Sequence, residues 1–241
     1  KPNGNVYVLS HVFGSTTMLE FEAGNYSSPT TLTLNYTLAG SCSPKMEIAD
    51  NGEVLILCGN TLYGLSATDY TNTTYTLDLT SYNFDSGGII YDLFVDETYD
   101  NNIDLYISGQ DTSLNGKVHK FTNFNTSDGT SSSNTEYTNA IFNGRPVTDI
   151  YIKNNIGIFS SSEDIATEIA WFNNLGNTQI IAVNDFLGIE DLVADTDYNL
   201  YVTSKDYLYE FFDFEFIAPN ITASISCTSG GDLSITTFPG G

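Results

Sequence analysis

The sequence predicts an all-β chain, a β-propeller of about five visible blades, on three observations. A short phrase returns five times, at Asn5-Val6-Tyr7-Val8, Glu53-Val54-Leu55-Ile56, Asp104-Leu105-Tyr106-Ile107, Asn155-Ile156-Gly157-Ile158 and Asn199-Leu200-Tyr201-Val202. Its spacing of roughly 44 to 51 residues is the size of a four-stranded blade. The 16 Tyr and 15 Phe stand with Val, Ile and Thr between clusters of Asn, Asp, Gly and Ser, the composition of short strands joined by turns. No stretch of a dozen residues carries an apolar stripe of 3.6-residue period, so almost no helix is expected.

Each full unit opens on an innermost strand: Met46-Glu47-Ile48-Ala49-Asp50, Asp92-Leu93-Phe94-Val95-Asp96, Asp149-Ile150-Tyr151-Ile152-Lys153 and Asp191-Leu192-Val193-Ala194-Asp195. Turns such as Asp50-Asn51-Gly52 follow, built from residues that tolerate positive φ and hydrogen-bond their own backbone, and they return the chain into the repeated phrase as second strand. Third strands read Met18 to Phe21, Leu62 to Leu65, Val118 to Phe121, Ile169 to Phe172 and Leu208 to Phe211, each closing on Phe or Leu that would fill the wedge between neighbouring sheets. Fourth strands are expected at Thr31 to Tyr36, Thr74 to Leu79 and Gln179 to Val183, the outer edges being least constrained. The segment from Asn123 to Asn139, polar and without alternation, reads as a long loop inserted in the third unit.

This reading divides the chain into units near 1–40, 41–88, 89–145, 146–187 and 188–217, followed by a short β module over 218–241. The inner-strand turns resemble those of NHL-like and related bacterial propeller repeats, in which an Asp-rich turn and an Asn or Gly precede an apolar-Tyr-Val strand. That resemblance spans nearly residues 1 to 215 and implies fold more than function. Beyond Pro219, Ile221 to Cys227, then Gly230-Gly231-Asp232-Leu233-Ser234-Ile235-Thr236 and Pro239-Gly240-Gly241, resemble the opening of an SprB-type repeat. Leu233 stands where that family has Gly, and its Pro-Tyr motif is not reached. The resemblance implies a module of a large surface adhesin of gliding bacteria that use type IX secretion; a final propeller strand and tail is the alternative.

Seven basic residues against 30 acidic ones give a formal charge of -23, a field that repels nucleic acid and anionic membrane surfaces. Charged residues make up only 15% of the chain, so the acidity reads as solubility outside the cell, with divalent-cation binding as the sharper alternative. No apolar run is long enough to span a bilayer, and Lys1 reads as the start of a mature form or of an excised piece, with residues missing at both ends. Of three cysteines, Cys42 and Cys58 flank a hairpin-sized segment that could bring them within disulfide reach; alternatively Cys58 is a small buried residue of the repeat, where its equivalents are Ser10, Gly109, Ser160 and Ser204. Cys227 then stays unpaired.

Carboxylates open three inner strands, and Asp92, Asp149 and Asp191 at a channel mouth could act as paired acid and base, as in five-bladed glycoside hydrolases. Recurrence at one register argues instead for satisfying backbone donors in every blade, since catalysis asks different roles of different blades. Asp100, Asn102 and Asp104 resemble the start of a calcium loop, but Leu105 occupies the position that needs Gly, so a polar hairpin turn is expected and Ca2+ stays a weak candidate. His11 and His119 have no Cys or carboxylate at ligand spacing in the sequence. No nucleophile elbow or phosphate-cradling loop is present. Asn25, Asn35, Asn72, Asn125 and Asn220 begin Asn-x-Ser/Thr sequons, about as many as this composition yields by chance.

The expectation is therefore a non-catalytic extracellular module at a cell surface or in a filament, meeting surface glycans or neighbouring subunits, with no nucleic-acid partner and no direct membrane insertion. A secreted glycoside hydrolase is the alternative.

Overall fold

The structure is a computed structural model that describes residues 4–12, 14–38, 42–82, 84, 88–99, 102–138, 146–153, 156–163, 166–173, 178–182, 191–194, 200–204, 207–211, 221–227 and 233–239. Strands form six sheets, each of strands consecutive in the chain. The first holds β1 (Val6–Val12), β2 (Ser15–Glu22) and β3 (Asn25–Leu32); the second holds β4 (Lys45–Ile48), β5 (Val54–Cys58), β6 (Thr61–Ser66) and β7 (Asp69–Asp78). The third comprises β8 (Ile89–Tyr99), β9 (Asn102–Gln110), β10 (Gly116–Thr122) and β11 (Ser133–Thr138). The fourth comprises β12 (Asp149–Lys153), β13 (Ile156–Glu163), β14 (Ala166–Asn173) and β15 (Thr178–Ala182). β16 (Asp191–Ala194), β17 (Leu200–Ser204) and β18 (Tyr207–Phe211) make the fifth, and the hairpin β19 (Ile221–Cys227) and β20 (Leu233–Pro239) the sixth. Among the described residues the single helix is a 3-10 turn at Leu79–Tyr82, and no helix is long and apolar enough to cross a membrane.

The molecule falls into two compact units, Lys1–Ile107 with His119–Glu136, and Ser108–Val118 with Tyr137–Gly241. Within each, the leading strands of successive sheets lie side by side, β4 beside β8 in the first unit and β12 beside β16 in the second.

The second sheet shows how the repeated phrase becomes structure. β4 and β5 pair Ile48 with Val54 around a turn in which the Ala49 N–H donates to Glu53 O at 2.9 Å and the Gly52 N–H to Ala49 O at 2.7 Å. Gly52 has φ of +84°, a conformation a side chain would strain. Side chains alternate across a strand, so β5 feeds two cores. Val54, Ile56 and Cys58 join Tyr7, Met18, Leu38, Tyr63, Leu65 and Tyr70 on one face. Leu55 and Leu57 join Leu62, Leu79, Leu93, Leu105, Phe121 and Phe124 on the other. A strand covered on both faces has no polar side, which is why Val54–Cys58 reads as an unbroken apolar run. On β6, Gly64 faces the ring of Tyr75 so closely that a Cβ there would overlap it, and a Cβ on Gly129 would stand 2.6 Å from the other edge of the same ring.

Two expectations need correction. The segment from Asn123 to Asn139 is not wholly loop, because Ser133–Thr138 forms β11, the outer strand of the third sheet. With residues 133–135 exposed, its order comes from backbone pairing rather than burial, and alternation therefore carries no signal. The loop before it is tied down too. Phe124 and Thr126 are buried, Phe124 N–H donates to Ile103 O at 2.6 Å, and Gly129 N–H donates to Asn125 O at 2.8 Å. The fourth strand of the first unit is Asn25–Leu32 rather than Thr31 to Tyr36. Gly24, at φ +79°, reverses the chain directly after β2, so pairing starts at Asn25. Leu34 and Tyr36 leave the sheet and pack against the core shared with the second sheet.

Candidate functional site

The first sheet departs from the pattern of the second. β1 carries the repeated phrase but has β2 on one side and, among the described residues, no strand on the other, the position β4 fills beside β5. Its inward residues follow the rule: Tyr7 is buried and Leu9 packs against the core of Val54 and Ile56. The register pairs Tyr7 with Glu20, whose carboxylate accepts from the Tyr7 hydroxyl and from Asn5 Nδ2 at 2.8 Å. The outward residues do not. Val6, Val8 and Val12 are 48%, 45% and 56% exposed. Val6 pairs with Phe21 and Val8 with Leu19, so the half-buried Phe21 and Leu19 lie on that same outward face. An open strand edge and an apolar sheet face thus coincide, a combination that soluble proteins normally cover.

The residues singled out from sequence distribute as follows. Asp92, buried on β8, forms an ion pair with Lys45 of β4 at 3.4 Å. Asp149 is buried at the start of β12 and accepts the Ile150 N–H at 2.9 Å. Asp191 opens β16, and its side chain lies outside the described residues, as do Asp100, the side chain of Asn102, and Asn220. Asp104 is held by Lys120 Nζ at 2.7 Å and by the Asn123 N–H at 2.9 Å, so a cation there would have to displace an ammonium. At Asp111 burial opposes ionisation, but hydrogen bonds from Asn115 and Ser113 and the charge of Lys117 outweigh it and lower the pKa. Asn25, Asn35, Asn72 and Asn125 are exposed, and Asn35 Nδ2 donates to Asn72 Oδ1 at 3.0 Å. Cys42 and Cys58 are joined by a disulfide with Cα atoms 5.4 Å apart.

Sequence reasoning missed three arrangements. Asp69, Asp78 and Asp128 each accept from the backbone N–H and the hydroxyl of the Thr two residues on, and these bonds hold all three carboxyls below the usual range. The Asp-x-Thr spacing was the available signal. Glu53 accepts from Thr126, from Ser127 Oγ at 2.9 Å and from Asn51 Nδ2 at 3.0 Å, locking the 124–130 loop onto the second sheet. Glu97 accepts the Asp50 N–H at 2.7 Å; burial, opposed by that bond and reinforced by the Asp50 and Asp96 charges, pushes its pKa up to about 7.

No known family's sequence profile matches the chain, and neither does any curated protein sequence. Solved structures do resemble it. The extracellular domain of a protein described as a one-component system from B. thetaiotaomicron superposes with a TM-score of 0.54 at 11% identity, over 97% of this chain and 32% of that one. A catalytically inactive virginiamycin B lyase from Staphylococcus aureus, with quinupristin, gives 0.53 at 12% identity over 98% of this chain and 88% of that one. The apocarotenoid oxygenase of Synechocystis gives 0.52 at 10% identity, over 98% and 67%. The chain thus spans about a third of the first of these. At such identities the likeness concerns fold alone: this is an all-β chain of several antiparallel sheets, similar to propeller structures.

Proposed function

We propose that the chain is a non-catalytic, extracellular propeller-type module of about five blades, part of a larger secreted protein, whose role is assembly with further copies at a cell surface or in a filament. The observation that carries this reading is the first sheet, where β1 has no strand beyond it among the described residues and Val6, Val8, Leu19 and Phe21 face outward. A second edge strand with no outer neighbour among the described residues supports it. β18 closes the three-stranded fifth sheet and exposes Leu208 at 67%. Two different open edges on one chain suit head-to-tail addition of copies, which generates open filaments rather than closed dimers. The Cys42–Cys58 disulfide and the low basic content agree with a location outside the cell. The Lys45 partner of Asp92 gives that carboxylate an electrostatic task in the fold, which supports the non-catalytic reading. The β19–β20 pair, with Cys227 opposite Leu233, fits the opening of an SprB-like module.

Electron microscopy and sedimentation velocity of the whole chain test this. Val8→Glu should abolish or weaken self-association at least tenfold, whereas Leu114→Glu, at a turn residue 55% exposed, should leave it unchanged. A wild-type chain that stays monomeric at high concentration, or equal association by both variants, would sink the proposal.

A further inference from the structure

His11 lies on the inward side of β1, in register with Thr16. Its Nδ1 sits 2.9 Å from Thr16 Oγ1, which also accepts the Leu38 N–H at 3.4 Å, so the ring is oriented by a hydroxyl itself fixed to the backbone. The two bonded cysteines stand beside it. Cys58 ends the fully buried β5, and Cys42 is half-buried in the segment leading into β4. The ligand atoms of His11, Cys42 and Cys58 all lie within 4.8 Å of one another. No spacing rule joins these three positions; the fold brings them together from β1, the β3–β4 connection and β5.

We propose that this cluster is a redox-gated site for a thiophilic divalent cation of the zinc class, closed by the disulfide when oxidised and formed by two thiolates and the His11 imidazole when reduced. The ligand set is of the Cys2His type, which leaves one tetrahedral position for water. Around zinc, with bonds of about 2.0 to 2.3 Å, ligand atoms stand about 3.5 to 4 Å apart. Reduction therefore has only to let the two sulfurs part while His11 keeps its place. Thr16 acts as the outer partner that fixes ring orientation, as hydroxyls and carbonyls do for metal-bound imidazoles. The chemistry balances simply. A phosphine reductant gives two electrons to the disulfide and takes oxygen from water, yielding phosphine oxide and two thiols; the cation then replaces the two thiol protons, which pass to solvent. In the reverse direction a peroxide oxidant takes two electrons from the thiolates and two protons from solvent, giving the disulfide and water and expelling the cation. The formal charge of -23 raises the local cation concentration.

The test uses the whole chain carrying Cys227→Ser, so that Cys42 and Cys58 are the only thiols, titrated with Co2+ as a spectroscopic probe before and after phosphine treatment, then with Zn2+ in competition. The reduced chain is expected to bind one Co2+ with a thiolate-to-cobalt charge-transfer band that Zn2+ bleaches, and the oxidised chain to show none. His11→Gln should weaken binding at least about tenfold without changing the thiol count. Circular dichroism reports whether the reduced chain stays folded, or refolds on adding Zn2+. Equal binding by the His11→Gln chain, absence of the charge-transfer band in a folded reduced chain, or a reduced chain that is unfolded and remains so with Zn2+ would each overturn the proposal.

Discussion

The first and second sheets are written in the same phrase and end in different environments. Val54-Leu55-Ile56-Leu57 lies under neighbours on both faces and is flanked by β4 and β6, so Leu55 and Ile56 are both 0% exposed. Among the described residues, Val6-Tyr7-Val8-Leu9 has one covered face and one neighbouring strand. The difference does not lie in strand propensity, which is equally high in both. It lies in what stands next to each strand, and that makes the first sheet the place where the molecule is still able to bury apolar surface.

Substitutions should separate the two sheets by energy. Ile56→Ala removes fully buried atoms and is expected to cost about 2 to 5 kcal/mol in a denaturant melt, the largest effect of the set. Removing the disulfide with Cys42→Ala and Cys58→Ala together opens a loop of sequence separation 16 and should cost about 3 kcal/mol. A smaller loss than 1 kcal/mol would mean that the bond contributes little to holding the 42–58 segment in place. Gly64→Ala forces Tyr75 off its position and should cost about 1 to 3 kcal/mol, largely relieved by a second change, Tyr75→Ala, that removes the ring.

A pH effect of about 1 kcal/mol, after allowance for solvent screening, is expected from Glu97. Its carboxyl is raised in the folded chain, so it binds its proton more tightly there than when unfolded. Its contribution is fully present below the ordinary value of 4.5 and is lost as pH rises through about 7. Glu97→Gln should therefore flatten the stability profile across that interval and leave the variant more stable than wild type at the alkaline end. The smallest effect belongs to the open sheet: Val8→Ala should change the stability of the isolated chain by less than about 0.5 kcal/mol. A cost near that of Ile56→Ala would show the outward face to be covered after all.

Much of the second sheet was legible in the sequence, because burial on both faces imposes an unbroken apolar run and the turns need Asp, Asn and Gly at fixed places. β11 was not, since Ser133–Thr138 is held by ladder bonds and leaves no periodic trace. The shifted β3 was missed because Gly24 sets the reversal, while the apolar residues Leu34 and Tyr36 that suggested a later strand serve the core from an irregular segment. The site fared less evenly. A pair of cysteines flanking a hairpin can be read from spacing, but His11 comes to them from 31 residues upstream of Cys42 through sheet packing alone. That the first sheet's outward valines are uncovered is likewise invisible in a phrase that is buried when it recurs as β5.

Amide hydrogen exchange across β1 and β5, in the isolated chain and in the assembled material, tests the central claim most directly. The account predicts that alternate β1 amides, those turned away from β2, exchange orders of magnitude faster than β5 amides in the isolated chain and gain protection on assembly. β1 amides as protected as those of β5 in the isolated chain, or unchanged by assembly, would contradict it.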